Sequence, residues 1–434
     1  MRLNNKIIIG LALSWWMGWV GVEGADRVGG TAGALAGLRE WLGKERGARG
    51  DIGAMEFARV GLTKEGAEEA KMLLWNDYAG MIRETRKAEM EGKAIRIGDH
   101  EMKFEIVRFG EKAMIPEGGR SLFISMHGGG GAPVEVNDGQ WRNQIQLGQA
   151  YRPSEGLYVA PRAPSNSWKL WHEAAVDGLF DRLIADLIVL EGVNPNRVYL
   201  MGYSAGGDGV YQLGPRMADR WAAAAMMAGH PNSASPVNLR NLPFVIQVGG
   251  NDGAYRRNKV GAEWGKKLDV LEVEDGKGGY RHLTKIHEGK GHWMDLEDRL
   301  AIPWMEKCRR DPRPERIVWR QEGVMHSSFY WLAVPLAGAR VGQEIRAERS
   351  GQNLVMTVSE VKEFSVRLSD AMLDMDRPVN IRVGDKVVFE GLAVRTMGTL
   401  ARTLIERGDP EYIFSAEIEI SLGEKAGEAA PSPR

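Results

Sequence analysis

Residues 201–209 read Met-Gly-Tyr-Ser-Ala-Gly-Gly-Asp-Gly and directly follow the apolar run Val198 to Leu200. They contain a G-x-S-x-G pattern, from Gly202 to Gly206, at a predicted strand-to-helix turn. Glycines occupy both crowded positions around Ser204, where a β-carbon would collide with the neighbouring strand or helix. The stretch therefore predicts that a sharp turn presents the Ser204 hydroxyl as a nucleophile.

Short and nearly uniform apolar runs alternate with helical patterns around this turn. Strands that are buried on both faces lose their alternation, and strands that are separated by helices pair in parallel. We therefore predict an α/β fold with a doubly wound, mostly parallel sheet over residues 95–312. The predicted strands are Leu122 to Met126, Leu157 to Ala160, Val198 to Met201, Ala222 to Met227 and Phe244 to Val248.

The N-terminus has the charge and hydropathy pattern of an export signal. Arg2 and Lys6 precede an apolar run from Ile7 to Val22, and Gly24 fits a signal-peptidase site. This run is shorter than the ~20 residues that span a bilayer as a helix. We predict a signal peptide over residues 1–24, a secreted or periplasmic protein, and no membrane span after signal removal. An uncleaved anchor is the alternative.

Three further segments flank or follow the α/β region. Residues 25–94 carry helical periodicity and are predicted to form a helical N-terminal segment. After the prolines of residues 309–314, period-two alternation returns, which predicts a β-rich, sandwich-like accessory domain over residues 313–423. Its residues do not select among ligand binding, dimer contact and covering the active-site edge. Residues 424–434 are predicted to be a disordered tail.

Composition excludes several classes of function. The formal net charge is −1 over 434 residues, so no basic excess is present to neutralise nucleic-acid phosphates. The single cysteine, Cys308, excludes an intrachain disulfide. Neither paired cysteines nor an H-E-x-x-H motif occurs, so we predict no metal site and no cofactor. The oligomeric state is not predicted.

A serine nucleophile needs a base, and the base needs an orienting carboxylate. In doubly wound hydrolases these groups follow in the chain order serine, acid, histidine. Asp252 follows the strand Phe244 to Val248, and His292 follows a strand-like segment at Leu283 to Ile286. We predict Asp252 and His292 as the partners of Ser204. The other downstream histidines of this region are His230, His282 and His287.

A glycine run follows the first predicted strand of the sheet. Residues 127–131 read His-Gly-Gly-Gly-Gly, and consecutive glycines leave backbone N–H groups accessible to a substrate oxygen. We predict an oxyanion hole from Gly128 or Gly129 together with Ala205. Aromatic and polar residues near these loops are candidate substrate contacts, namely His127, Trp141, Trp168, Trp171, His172, Tyr203, Asp208, His230 and Tyr255.

Together, the serine turn, the acid, the histidine and the glycine loop resemble the α/β-hydrolase superfamily over about half of the chain. Within it, the export signal and the Gly-Tyr-Ser-Ala-Gly-Gly stretch look like secreted esterases related to polyhydroxybutyrate depolymerases and feruloyl esterases. The resemblance implies an acyl-enzyme mechanism on a small-molecule or polymeric ester. Two alternatives are a serine peptidase of the prolyl-oligopeptidase-like type and a non-catalytic protein that binds the envelope or polysaccharide.

Overall fold

The computed structural model describes residues 19–111 and 115–423. Residues 1–18 of the predicted signal peptide and the predicted tail at 424–434 lie outside the described residues. Residues 19–24 belong to the first helix. Within the part of the chain that is described, no helix is both long and apolar enough to cross a bilayer.

Helices and strands alternate through the middle of the chain, and strands dominate its last third. The described α-helices are α1 (Trp19–Gly43), α2 (Lys64–Thr85), α3 (Lys87–Glu91), α4 (Val134–Tyr151), α5 (Ala175–Glu191), α6 (Ala205–Arg216), α7 (Arg257–Asp275), α8 (Ala301–Met305) and α9 (Met397–Arg407). The strands of the first sheet are β1 (Ala94–Ile97), β2 (His100–Phe109), β3 (Arg120–Met126), β4 (Gly156–Pro161), β5 (Val193–Tyr203), β6 (Ala223–Met227), β7 (Phe244–Gly249) and β8 (His282–His287). The remaining strands are β9 (Arg316–Arg320), β10 (Ser328–Phe329), β11 (Leu332–Ala333), β12 (Glu344–Ser350), β13 (Asn353–Ser359), β14 (Glu363–Leu368), β15 (Val379–Val383), β16 (Lys386–Gly391) and β17 (Ala416–Ser421).

The first eight strands form one sheet in the order β1-β2-β4-β3-β5-β6-β7-β8. From β4 to β8 all neighbours are parallel, whereas β2 runs antiparallel to both β1 and β4. Every residue of β3, β4, β6 and β7 is buried, as the uniform apolar runs predicted. The predicted doubly wound α/β fold is confirmed. Its parallel strands place the loops after β3, β5, β7 and β8 at one edge of the sheet.

The last nine strands form a β-rich region of two sheets. Five strands pair in the order β16-β15-β13-β12-β9 and four in the order β10-β11-β14-β17. Apolar residues of both sheets, among them Trp319, Leu354, Phe364 and Ile418, belong to one buried cluster. The predicted sandwich-like region is therefore present.

Buried ion pairs hold this region against the α/β sheet. Asp409, directly after α9, lies 2.8 Å from Arg310 Nη2 and 3.5 Å from Arg220 Nη1, and all three side chains are at most 2 % exposed. Arg407 pairs with Asp219 at 2.5 Å. Removing one member would leave a buried charge without compensation, so these pairs fix the two regions relative to each other.

The helical N-terminal segment packs on the C-terminal region. Leu35 and Leu38 of α1 and Leu74 of α2 share a buried cluster with Leu400 and Leu404 of α9. The N-terminal helices α1 and α2 therefore pack against α9 of the C-terminal region.

Candidate active site

The turn at Ser204 has a backbone that L-residues rarely adopt, with φ 58° and ψ −122°. Such conformations typically cost 1–3 kcal/mol and persist only where the surroundings enforce them. A β-carbon on Gly202 would lie 2.3 Å from the Gly206 carbonyl oxygen, and one on Gly206 would lie 2.1 Å from that of Met126. The flanking glycines are thus required by close backbone contact. The Ser204 N–H donates to the Met227 carbonyl at 2.9 Å, which ties the turn to β6.

Ser204, His292 and Asp252 form a hydrogen-bonded chain. The Ser204 Oγ lies 3.0 Å from His292 Nε2, and His292 Nδ1 lies 2.7 Å from Asp252 Oδ2. With the Nδ1 proton donated to Asp252, Nε2 is free to accept the serine proton. Asp252 is 2 % exposed, whereas the imidazole is 43 % exposed. The loops after β5, β7 and β8 therefore bring the three predicted residues into one hydrogen-bonded group, with the carboxylate buried and the imidazole open to the surface.

The three histidines that compete with His292, namely His230, His282 and His287, have different partners. His287, at the end of β8, is buried between Gln247 and Glu297, with ring-to-oxygen distances of 2.9 and 3.0 Å. The His282 ring lies 3.1 Å from Asp269 of α7. His230 is the one of the three that reaches the site, beside Asp208.

The glycine loop after β3 lies directly against the nucleophile. A β-carbon on Gly128 would stand 3.1 Å from the Ser204 Cβ, and Gly129 has a φ of 107°. Gly130 has already donated its N–H to Asn137 Oδ1, at 2.8 Å. Within the described residues, the N–H of Gly129 has no acceptor, nor does that of Ala205, the first residue of α6. These two groups are available to a developing oxyanion, where one donor typically contributes about 3 kcal/mol.

His127 fixes the glycine loop through a hydrogen bond to the Gly128 carbonyl. Its Nε2 accepts the Ala163 N–H at 3.1 Å, so the proton resides on Nδ1, which donates to the Gly128 carbonyl at 2.6 Å. Burial of the ring lowers the pKa of His127 to about 4, so the ring is neutral at pH 7. The C=O and N–H of one trans peptide point in opposite directions. By fixing the Gly128 carbonyl, His127 therefore orients the Gly129 N–H.

Two cavities meet at Ser204. The larger cavity, of about 410 Å³, is lined by Gly128, Gly129, Val136, Gln140, Asn143, Gln144, Leu147, Tyr203, Ser204, His292 and Trp293. The smaller cavity, of about 90 Å³, is lined by Gly129, Trp168, Ser204, Ala205, Asp208, His230, Asn232, Tyr255 and Arg257. The two cavities thus offer separate space for the acyl group and the alcohol group of one ester.

Five of the nine candidate substrate contacts line these cavities, and four do not. Tyr203 lines the larger cavity, and Trp168, Asp208, His230 and Tyr255 line the smaller one. The other four are His127, Trp141, Trp171 and His172. The structure places His127 and Trp171 under the glycine loop, where the Trp171 indole N–H donates to the His127 carbonyl at 2.9 Å. The Trp141 indole donates to the Ala160 carbonyl at 2.9 Å, and the His172 carbonyl accepts from Arg216 at 3.0 Å.

Helix α4 supplies one wall of the larger cavity, through residues other than the predicted contact Trp141. Val136, Gln140, Asn143 and Leu147 recur at intervals of three or four residues, which places them on one face of a helix. That periodicity was available in the sequence. Because the face mixes polar and apolar residues, it does not stand out as an apolar stripe.

Tyr203 connects the nucleophile turn to the histidine loop. Its hydroxyl donates to the His292 carbonyl at 2.6 Å and accepts the Met294 N–H at 3.1 Å. The side chain is 8 % exposed, and burial raises the pKa of its hydroxyl well above the ordinary value. The residue before the nucleophile thus holds the backbone on both sides of Trp293.

We expect Tyr203→Phe to lower kcat by roughly 10-fold, because the variant loses both hydrogen bonds of the hydroxyl, each worth about 1 kcal/mol, and the loop that holds His292 is loosened. KM should change little, since the ring that lines the larger cavity remains. Steady-state kinetics on a neutral ester would measure both constants. Tyr199→Phe is the matched control, because its hydroxyl donates to the Cys308 carbonyl at 3.1 Å, away from the site. Equal kinetic losses in both variants would contradict a positioning role for Tyr203.

No family model matches the chain, and no curated protein matches it. Among solved structures the chain is similar to esterase PE8, at 21 % identity over 48 % of this chain and 98 % of that one, with a TM-score of 0.36. A thermostable esterase is similar at 18 % identity over 50 % of this chain, which spans 62 % of that protein, with a TM-score of 0.37. LpqC, a poly(3-hydroxybutyrate) depolymerase from Bordetella parapertussis, is similar at 18 % identity over 49 % of this chain and 86 % of that one, with a TM-score of 0.36.

Likenesses this distant carry no argument about activity. The fold is instead assigned on the strand order, the antiparallel β2, and a serine turn that joins β5 to α6. By these features the chain has the α/β-hydrolase fold.

Proposed function

We propose that the protein is a serine hydrolase that cleaves a carboxylic ester through an acyl-enzyme. The observation that carries this proposal is the chain of 3.0 and 2.7 Å contacts from Ser204 through His292 to Asp252, next to the N–H groups of Gly129 and Ala205. A protein that only binds ligands has no need for a serine in a strained turn with an aligned base.

In the proposed mechanism, the Ser204 oxygen attacks the ester carbonyl while His292 Nε2 takes the serine proton. The carbonyl oxygen becomes an oxyanion that accepts hydrogen bonds from Gly129 and Ala205. His292 then returns the proton to the leaving alcohol, which breaks the ester bond and leaves an acyl-serine. Water attacks this acyl-serine with His292 again as base, and the acid is released. Asp252 holds the imidazole and stabilises its protonated form.

Exposed aromatic side chains beside the two cavities favour a substrate with a large apolar or sugar-like part. Trp168 and Tyr255 are 59 and 61 % exposed beside the smaller cavity, and Trp293 is 48 % exposed beside the larger one. The larger cavity also falls within the range of roughly 300–1,000 Å³ that is typical of small-molecule sites. These features support a small-molecule ester or the end of a polymeric one. The sequence of residues 1–24 supports a secreted or periplasmic location.

Labelling with a fluorophosphonate tests the proposal directly, because this probe reacts with an activated serine. We expect mass spectrometry to locate the label on Ser204 in folded protein. A panel of p-nitrophenyl, acetyl-xylan, feruloyl and hydroxybutyrate esters, together with peptides, would then identify the bond that is cleaved. If Ser204 is not labelled, the proposal of a serine hydrolase is refuted. If only peptides are cleaved, the protein is a peptidase and not an esterase.

A further inference from the structure

A nearly buried guanidinium lies beside the nucleophile without a hydrogen-bond acceptor. Arg257 is the first residue of α7, and its side chain is 11 % exposed. It lines the smaller cavity together with Ser204. Its Nε is buried, and among the described residues no atom accepts a hydrogen bond from it. Because a buried charged donor without an acceptor is costly, a guanidinium in this position needs an explanation.

Asp252 supplies charge to Arg257 but no hydrogen bond. The Arg257 Nη1 lies 3.8 Å from Asp252 Oδ1, beyond hydrogen-bonding distance, and the other oxygen of Asp252 accepts from His292. On its other side, the guanidinium carbon lies 4.8 Å from the centre of the Tyr255 ring. These contacts hold the guanidinium in place and leave its N–H groups available to an acceptor in the cavity.

The backbone before Arg257 is strained, as expected of a segment that the fold holds in one arrangement. Tyr255 has a φ of 52° and Arg256 a φ of 58°, both in the left-handed region. Two successive residues of this kind are unfavourable unless the surrounding structure enforces them. With this backbone, the Arg257 guanidinium lies over the Tyr255 ring and both side chains line the cavity.

His230, which lines the same cavity, adds a second donor. His230 Nδ1 accepts the Asn232 N–H at 2.9 Å, which leaves the ring proton on Nε2. Asp208 also lines the cavity, where Arg257 interacts electrostatically with its carboxylate, and it accepts the backbone N–H of His230 at 2.6 Å. The cavity has a volume of about 90 Å³. The cavity therefore suits a group of a few heavy atoms that accepts hydrogen bonds.

We propose that Arg257 makes the smaller cavity a subsite for a carboxylate of the substrate, so that the enzyme prefers esters with a carboxylate close to the scissile bond. A planar guanidinium can donate two parallel hydrogen bonds to a carboxylate, the strongest match available to its free N–H groups. The inference rests on the proposed ester hydrolysis. The carboxylate can belong to the acyl part or to the alcohol part.

The test compares charged and neutral substrates in variants of two neighbouring arginines. p-Nitrophenyl hemisuccinate and p-nitrophenyl butyrate form the acyl-side pair, and O-butyrylglycolate and ethyl butyrate form the alcohol-side pair. We expect Arg257→Met to lower the ratio of kcat/KM for the charged member to kcat/KM for the neutral member by roughly 10- to 100-fold in one of the two pairs. Arg257→Lys should retain part of the preference for charged esters, because lysine keeps the positive charge but lacks the planar guanidinium that can donate two parallel hydrogen bonds.

Arg256→Met is the matched control. Arg256 is 67 % exposed, pairs with Glu263 at 3.6 Å, and lines neither cavity, so this variant removes the same charge from the same loop. It should leave both substrate pairs unchanged. An equal loss on charged and neutral esters in Arg257→Met would overturn the subsite and make Arg257 a support for Asp252.

A binding measurement separates this inference from the proposed function. Calorimetry with Ser204→Ala, which keeps both cavities, should detect monomethyl succinate or O-butyrylglycolate, and the added Arg257→Met change should abolish that binding. If the wild type hydrolyses neutral esters but neither charged ester binds, the subsite is refuted and the hydrolase stands. If Ser204 is not labelled and no ester is cleaved, the proposed function fails, whatever the calorimetry shows.

Discussion

Ser204→Ala is expected to lower kcat for the best ester of the panel by about 10⁶-fold, because in serine hydrolases the nucleophile and base act as a unit. A residual rate above that of water should remain, since the N–H groups of Gly129 and Ala205 still stabilise the oxyanion. KM should change little, because both cavities retain their other lining residues. Steady-state kinetics at a single pH would measure both constants.

This substitution should leave the fold intact. The turn keeps its φ of 58°, which an alanine tolerates about as well as a serine, and Ser204 donates its side-chain hydrogen bond only to His292. We therefore expect a Tm close to that of the wild type. Ser233→Ala is the control, because Ser233 is an exposed serine on the loop after β6 and lines neither cavity. A variant at Ser204 that stays folded and retains more than a tenth of the activity would exclude this residue as the nucleophile.

The strands that carry the site could be predicted because a strand that is buried on both faces is apolar at nearly every position. β3, β4, β6 and β7 appear in the sequence as uniform apolar runs, and each is buried throughout. The edge strand β1 could not be predicted in this way. It has four residues, of which two are buried and two exposed, too few to show a period.

Within the site, the residues that could be predicted are those fixed by backbone chemistry or by chain order. Ser204 is flanked by Gly202 and Gly206, which the close backbone contacts of the turn require. Asp252 and His292 follow strands in the chain order typical of this fold. Arg257 gives no such signal, because a charged residue at the start of a helix is usually solvated. Only the three-dimensional arrangement shows that its side chain lies between the Tyr255 ring and Asp252, beside Ser204.

The position of the C-terminal region depends on contacts between distant parts of the chain, which periodicity does not report. Asp409 meets Arg220 and Arg310 in a buried group at the boundary with the α/β sheet.

The described residues that line the two cavities all lie between Gly128 and Trp293. Of the three roles open at the sequence level, covering the active-site edge is therefore the one that the described residues do not support.

Asp252→Asn is expected to lower kcat by about 10⁴-fold while leaving the fold unchanged. The 2.7 Å contact from His292 Nδ1 to Asp252 Oδ2 holds the proton on Nδ1 and leaves Nε2 free to accept the serine proton. An asparagine can instead donate its amide to Nδ1, which places the ring proton on Nε2. In that tautomer the imidazole cannot take the proton from Ser204, even though every atom stays near its place.

The exposed neighbour Asp295 provides the control for this second prediction. Asp295 also follows β8, but its side chain is 59 % exposed and pairs with Lys290 at 2.9 Å. Asp295→Asn removes the same charge and should leave kcat within about two-fold of the wild type, because exposed ion pairs contribute at most ~1 kcal/mol to stability and Asp295 does not contact the triad. Asp252→Asn should also slow fluorophosphonate labelling, because the probe needs the same activated serine. If its kcat falls less than 10-fold while labelling stays fast, another carboxylate must orient His292, and the assignment of Asp252 is wrong.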